Sequence, residues 1–127
     1  MGGAVDEELM VRARAAWLIM RGDVEEALAL LSQYYGVSAP RVRVGLPRER
    51  RGVAGCYDPA RATIYVRSRE KLRDPLVVLH EFYHHLRYVL GEHRGTEKHA
   101  DRYAAESVRA LWKLISQGRR LFNRDRS

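Results

Sequence analysis

The chain reads as a single small α+β domain: N-terminal helices, a small three-stranded sheet with an antiparallel hairpin, then two C-terminal helices. Three observations predict this. At 127 residues and 46% apolar content, the chain has the size and composition of one modest core. Apolar residues recur at helical steps in the first and last thirds and alternate in the middle. Cap and turn residues stand where the period changes. The expected organisation is one domain over 1–127, with helices in 1–36, the sheet in 41–66, two helices in 74–117 and a basic tail in 118–127.

Leu9, Met10, Ala13, Ala16, Trp17 and Met20 share one face of a first helix. Arg21-Gly22-Asp23 interrupts it. Asp23 is suited to cap a second helix, with Glu25 and Glu26 in its favourable first turn, and Val24, Ala27, Leu28 and Leu31 continue the apolar stripe up to a stop at Gly36. Val42 and Val44 alternate with Arg41 and Arg43, which predicts a first strand before the turn around Gly45 and Pro47. Residues 53–57 and 62–66 form two further strands around Asp58-Pro59, a hairpin. Asp74 and Pro75 suit the cap and first position of a helix that Gly91 ends, and Thr96 suits the cap of a last helix from about Glu97 to Ser116.

No apolar run reaches the roughly 18 residues of a membrane span, and the first residues hold glycine and acids where a signal peptide would be basic and then apolar. A cytoplasmic protein with no membrane partner is expected. The single cysteine, Cys56, excludes an internal disulfide and a cysteine-rich zinc module; it reads as a half-buried strand residue. A net charge of +7 admits nucleic acid as a partner without favouring it, because the arginines are spread along the chain and lysine occurs only at Lys71, Lys98 and Lys113.

The chemistry is concentrated in His80-Glu81-Phe82-Tyr83-His84, an H-E-x-x-H pattern. Residues four apart on a helix differ in direction by about 40°, so both imidazoles can converge on one ion while Glu81 stands beside them. Such a pair suits Zn2+, which takes nitrogen and carboxylate ligands, keeps a position open and activates a water for hydrolysis, with Glu81 as general base and acid. Two histidines on an amphipathic helix can also be plain surface groups. Leu79, Phe82, Leu86 and Val89 already supply this helix with an apolar stripe, which leaves the histidines on a separate face.

For a third ligand the chain offers Glu92, His93, Glu97, His99 and Asp101. The metzincin pattern is excluded, because Leu86 and Leu90 occupy its glycine and histidine positions. Glu97 and Asp101 lie four apart on the face carrying Ala100, Ala104 and Val108, so both are expected to point inward, Glu97 to the metal and Asp101 to His80. His99 is about 200° from Glu97 on the helix, so one of the two serves, not both. His85 and His93 are expected on the solvent side, with His85 near enough to line the cleft.

His80-Glu81-x-x-His84 followed by Glu97-x-x-x-Asp101 resembles the gluzincin metallopeptidases, and the small size resembles the minigluzincins among them. The strands before the motif, together with Glu97-x-x-Ala100-Asp101-x-Tyr103-Ala104, are also similar to peptidase domains of the ImmA/IrrE type. The resemblance implies zinc on His80, His84 and Glu97, with Asp101 buttressing. It further implies that Thr63, Ile64, Tyr65 and Val66 form the cleft rim to which a peptide or unfolded protein adds as an antiparallel strand. The interval from His84 to Glu97 is shorter than in thermolysin-like enzymes, and the oxyanion donor is open among Tyr57, Tyr83, His85 and Tyr88. Two alternatives stand beside this reading: a SprT-like peptidase acting on DNA-bound proteins with His99 as third ligand, and a metal-stabilised regulatory module with little proteolysis.

Overall fold

The computed structural model describes residues 6–91 and 96–118. Helix α1 (Glu7–Met20) starts where Asp6 accepts the Leu9 amide at 2.8 Å, with Glu7 and Glu8 in the turn whose free amides favour negative charge. Asp23 holds the cap position of α2 (Val24–Tyr35), but its carboxylate turns back to Arg21 at 2.9 Å and caps nothing. Gly36 closes α2 in the left-handed region at φ 74°, which is easy only for glycine.

Three short strands follow: β1 (Arg41–Val44), β2 (Gly55–Asp58) and β3 (Thr63–Val66). β2 and β3 form the expected hairpin, held at its turn by Asp58, whose carboxylate takes the Ala60 amide at 3.0 Å and the Arg61 guanidinium at 2.9 Å. The strand order is β1-β3-β2, with β1 parallel to β3. This corrects the expected role of Thr63, Ile64, Tyr65 and Val66: β3 is the central strand, its backbone groups are engaged on both sides, and no peptide can add to it. β1 and β2 are the two edge strands, and β2 is the one packed closely on the helix that follows the sheet.

Short 3-10 turns at Arg48–Arg50 and Arg69–Arg73 lead into and out of the hairpin region. Helix α3 (Pro75–Leu90) begins under an Asp74 cap that accepts the Leu76 amide at 3.0 Å and ends at Gly91, φ 69°. Helix α4 (Glu97–Ser116) begins where Thr96 Oγ1 accepts the His99 amide at 3.0 Å. None of the described helices is long and apolar enough to cross a membrane.

The core lies between one face of the sheet and the helices. Ile64 and Val66 of β3 are fully buried with Val78, Leu79 and Phe82 of α3. Alanines 13, 15 and 16 let α1 approach its neighbours closely, and Leu28 and Leu31 of α2 and Leu111 and Leu114 of α4 fill the remaining space. The predicted stripes overrun this core at their ends: Met20 and Val89 are 38% and 44% exposed. Cys56 is more buried than expected, 4% exposed, and burial pushes its thiol up from its ordinary value.

Candidate metal centre

His80 and His84 stand one turn apart on α3 with ring centroids 5.1 Å apart. One ligand-type atom from each of His80, Glu81 and His84 lies within 4.8 Å of the others. The packing of α4 against α3 brings Glu97, the first residue of α4, across the two rings. Its Oε1 is 2.8 Å from His80 Nε2 and its Oε2 is 3.0 Å from His84 Nε2. Asp101, one turn on, meets the other nitrogen of His80, Nδ1, at 2.8 Å.

These distances have a chemical reading. A neutral imidazole offers one N–H and one lone pair, yet His80 has a carboxylate oxygen against each nitrogen. Donation from Nδ1 to Asp101 leaves the Nε2 lone pair facing Glu97, an arrangement that a second proton or a cation would stabilise. His84 Nε2 is buried and has no hydrogen-bond partner, because its 3.0 Å approach to Glu97 meets the distance of an ion pair but not the geometry of a hydrogen bond. Two imidazole nitrogens and a carboxylate with nitrogen lone pairs to share form a donor set of the kind zinc takes. The residues present fit that ion.

Glu81 is 7% exposed, and its Oε2 lies 4.0 Å from His80 Nε2. Burial pushes its carboxyl up to about 7, which the charge of His80 opposes and that of Glu97 reinforces. Burial moves His84 the other way, below the ordinary imidazole value. Burial therefore favours the neutral forms of both Glu81 and His84.

The burial expected for the acid pair is not observed. The Glu97 and Asp101 side chains are 78% and 75% exposed, because the first turn of α4 overhangs the end of the packed core, which Ala100, Tyr103 and Ala104 are the first of its residues to enter. His99 turns away from the site, its Nδ1 held 2.8 Å from Thr96 Oγ1. Glu92 and His93 lie outside the described residues, as does most of the basic tail.

His85 is not on the solvent side. It is 1% exposed, its Nδ1 accepts the Tyr57 hydroxyl at 2.7 Å and its Nε2 donates to the Ser38 carbonyl at 2.8 Å, which fixes one neutral tautomer; burial holds its basicity down. This commits Tyr57 to His85. Tyr83 meets the His84 ring edge-on at 5.9 Å and the Tyr103 ring at a tilt at 5.5 Å, and Tyr88 is 60% exposed.

Sequence reasoning missed the wall of the site. A pocket of about 310 Å³ adjoins His80, Glu81 and Glu97 and is lined by Arg50, Gly55, Leu76 and Val77. A Cβ on Gly55 would come within 2.9 Å of Val77 Cγ1, 3.1 Å of the Tyr65 carbonyl and 3.5 Å of Glu81 Cγ, so only glycine lets β2 lie this close to the helix. A glycine inside a predicted strand was the available signal for that approach; Arg50 carried none. Comparison with protein-family models, with curated proteins and with solved structures finds no match for the chain.

Proposed function

We propose that the chain is a zinc-dependent metallopeptidase, an endopeptidase acting in the cytoplasm on peptides or unfolded protein. The observation that carries this reading is the carboxylate of Glu97 spanning His80 Nε2 and His84 Nε2 at 2.8 and 3.0 Å beside a buried Glu81. His80, His84 and Glu97 would hold the ion. Zinc, when bound, supplies a Lewis acid for a carbonyl oxygen and acidifies water.

The chain's own groups do the rest. Hydrolysis joins a water oxygen to the carbonyl carbon, breaks the C–N bond and moves a proton from that water to the departing nitrogen. Glu81 is the carrier: its carboxyl, pushed up to about 7, both takes and returns a proton near neutrality. Asp101 holds the ring of His80 through Nδ1. Gly55 and Val77 wall the pocket, and an extended substrate would run beside the edge strand β2.

The SprT-like alternative needs His99 at the metal, and His99 is bonded to Thr96 instead. Zinc per chain and cleavage of an unstructured protein test the proposal. Glu81→Ala should keep zinc and lose cleavage by about 100-fold or more. Glu97→Ala should lose zinc where His99→Ala keeps it; the reverse pattern would transfer the third ligand to His99. Stoichiometric zinc with no cleavage by the wild type would instead support the regulatory module.

A further inference from the structure

The sheet has two faces, and the described α-helices pack on one of them. Gly55 and Tyr57 of β2 face α3, as the contacts of Gly55 with Val77 and of Tyr57 with His85 require. The alternation of a strand then sends Cys56, its cross-strand partner Tyr65 and Tyr65's other partner, Arg43, to the opposite face. Arg41 follows two residues before Arg43 on that side, opposite Thr63.

Two depressions flank Tyr65 on this outer face and share it and Arg61 as a common wall. One, of about 630 Å³, holds Arg41 and Arg43; the other, of about 690 Å³, runs under the 3-10 turn that carries Arg50. Arg41 and Arg43 are exposed, and neither guanidinium is paired with a described residue. The carboxylates lining the two depressions are Glu49 and Asp58, and Asp58 is already held by Arg61 at 2.9 Å. The result is a cationic groove with an aromatic ring at its midpoint.

We infer that this outer face binds single-stranded nucleic acid, with phosphates on Arg41 and Arg43 and a base against Tyr65. Alternate arginines on a strand present their charges about 7 Å apart along a line, which suits a string of phosphates. An unpaired base needs a ring to stack on, and Tyr65 is the ring between the two depressions. An acidic peptide would use the arginines but has no need of the ring. A duplex keeps its bases stacked internally and gains nothing from Tyr65. The three contact residues, Arg41 and Arg43 of β1 and Tyr65 of β3, lie outside the lining of the pocket at the metal centre.

Fluorescence anisotropy of the full chain with labelled twelve-nucleotide poly-dT and poly-U, a matched duplex and a polyglutamate peptide tests this. Both single strands should bind more tightly than duplex or peptide. Arg41→Ala with Arg43→Ala should weaken binding about ten-fold or more and reduce the salt slope by about 1.4. Tyr65→Leu, which keeps apolar bulk and whose folding is checked by circular dichroism, should weaken binding about five-fold or more. Arg102→Ala with Arg109→Ala removes the same charge from α4 and should change little, and Glu81→Ala should bind like wild type. Equal loss in the α4 variant, no loss in the β1 variant, no effect of Tyr65→Leu in a folded protein, or peptide or duplex binding as tight as the single strands would each overturn the proposal.

Discussion

Glu81 sits where ionisation is disfavoured, and that has a consequence for the metal-free protein. A carboxyl whose value rises from 4.5 in the unfolded chain to about 7 in the folded one keeps its proton longer when folded. Folded stability therefore falls as pH climbs from about 4.5 to about 7, because the unfolded chain has released the proton and the folded chain has not. Urea denaturation in chelator should show this loss in the wild type, and Glu81→Gln should lack it and be the more stable protein at pH 8. Asp101 poses a different test. Its carboxylate is exposed and bonded to His80 Nδ1, so Asp101→Asn should leave the fold intact and weaken zinc binding, measured by competition with a chelator, about 10- to 100-fold. At this scale the spacing of His80, Glu81 and His84 was legible because it is a property of one helix. The burial of His85 was not, since its partners Tyr57 and Ser38 come from a strand and a loop that adjacency in sequence does not reveal.

Among the elements, local signals read well. Asp74 and Thr96 cap the helices that follow them and Gly36 and Gly91 stop the ones before, since capping involves only a few consecutive residues. Asp23 shows the limit: the position is a cap, but a neighbouring arginine takes its side chain. Strand order is a property of distant segments, and the expectation that β3 borders the cleft failed for that reason. The acid pair failed similarly, because helical phase gives a direction but not how far the partner helix extends. The approach of β2 to α3 at Gly55 yields a prediction. Gly55→Ala should cost about 1 to 3 kcal/mol in denaturant titration and reduce cleavage, since the methyl must displace Val77 or the Tyr65 carbonyl close to Glu81.

For the molecule as a whole, the joint between its two ends rests on Arg12. This side chain is buried between α1 and α4, donating to Ser107 Oγ at 2.9 Å and the Tyr103 carbonyl at 2.7 Å and lying 4.0 Å over the Tyr103 ring. Tyr35 of α2 joins the same network through Glu8 and the Tyr103 hydroxyl, at 2.7 and 3.0 Å. Arg12→Ala should destabilise the fold by about 2 to 3 kcal/mol in urea, leaving polar groups of α4 without their partner while the metal residues stay in place. Fold class was legible here from composition and period alone. That α1 packs on α4 was not, because no periodicity records which helix an apolar face will meet.

That joint also sets an order in time. Arg12 and its acceptors on α4 are separated by more than 90 residues of chain, so during synthesis α1 and α2 are complete long before the helix they close upon has emerged. Until then the guanidinium of Arg12 lacks its acceptors on Ser107 and Tyr103, and the side of α1 that α4 covers stays wet. The joint between α1 and α4 thus closes late. A nascent chain stopped before α4 would leave the N-terminal pair as exposed helices, within reach of chaperones and proteases, and the metal residues on α3 would wait for the same event.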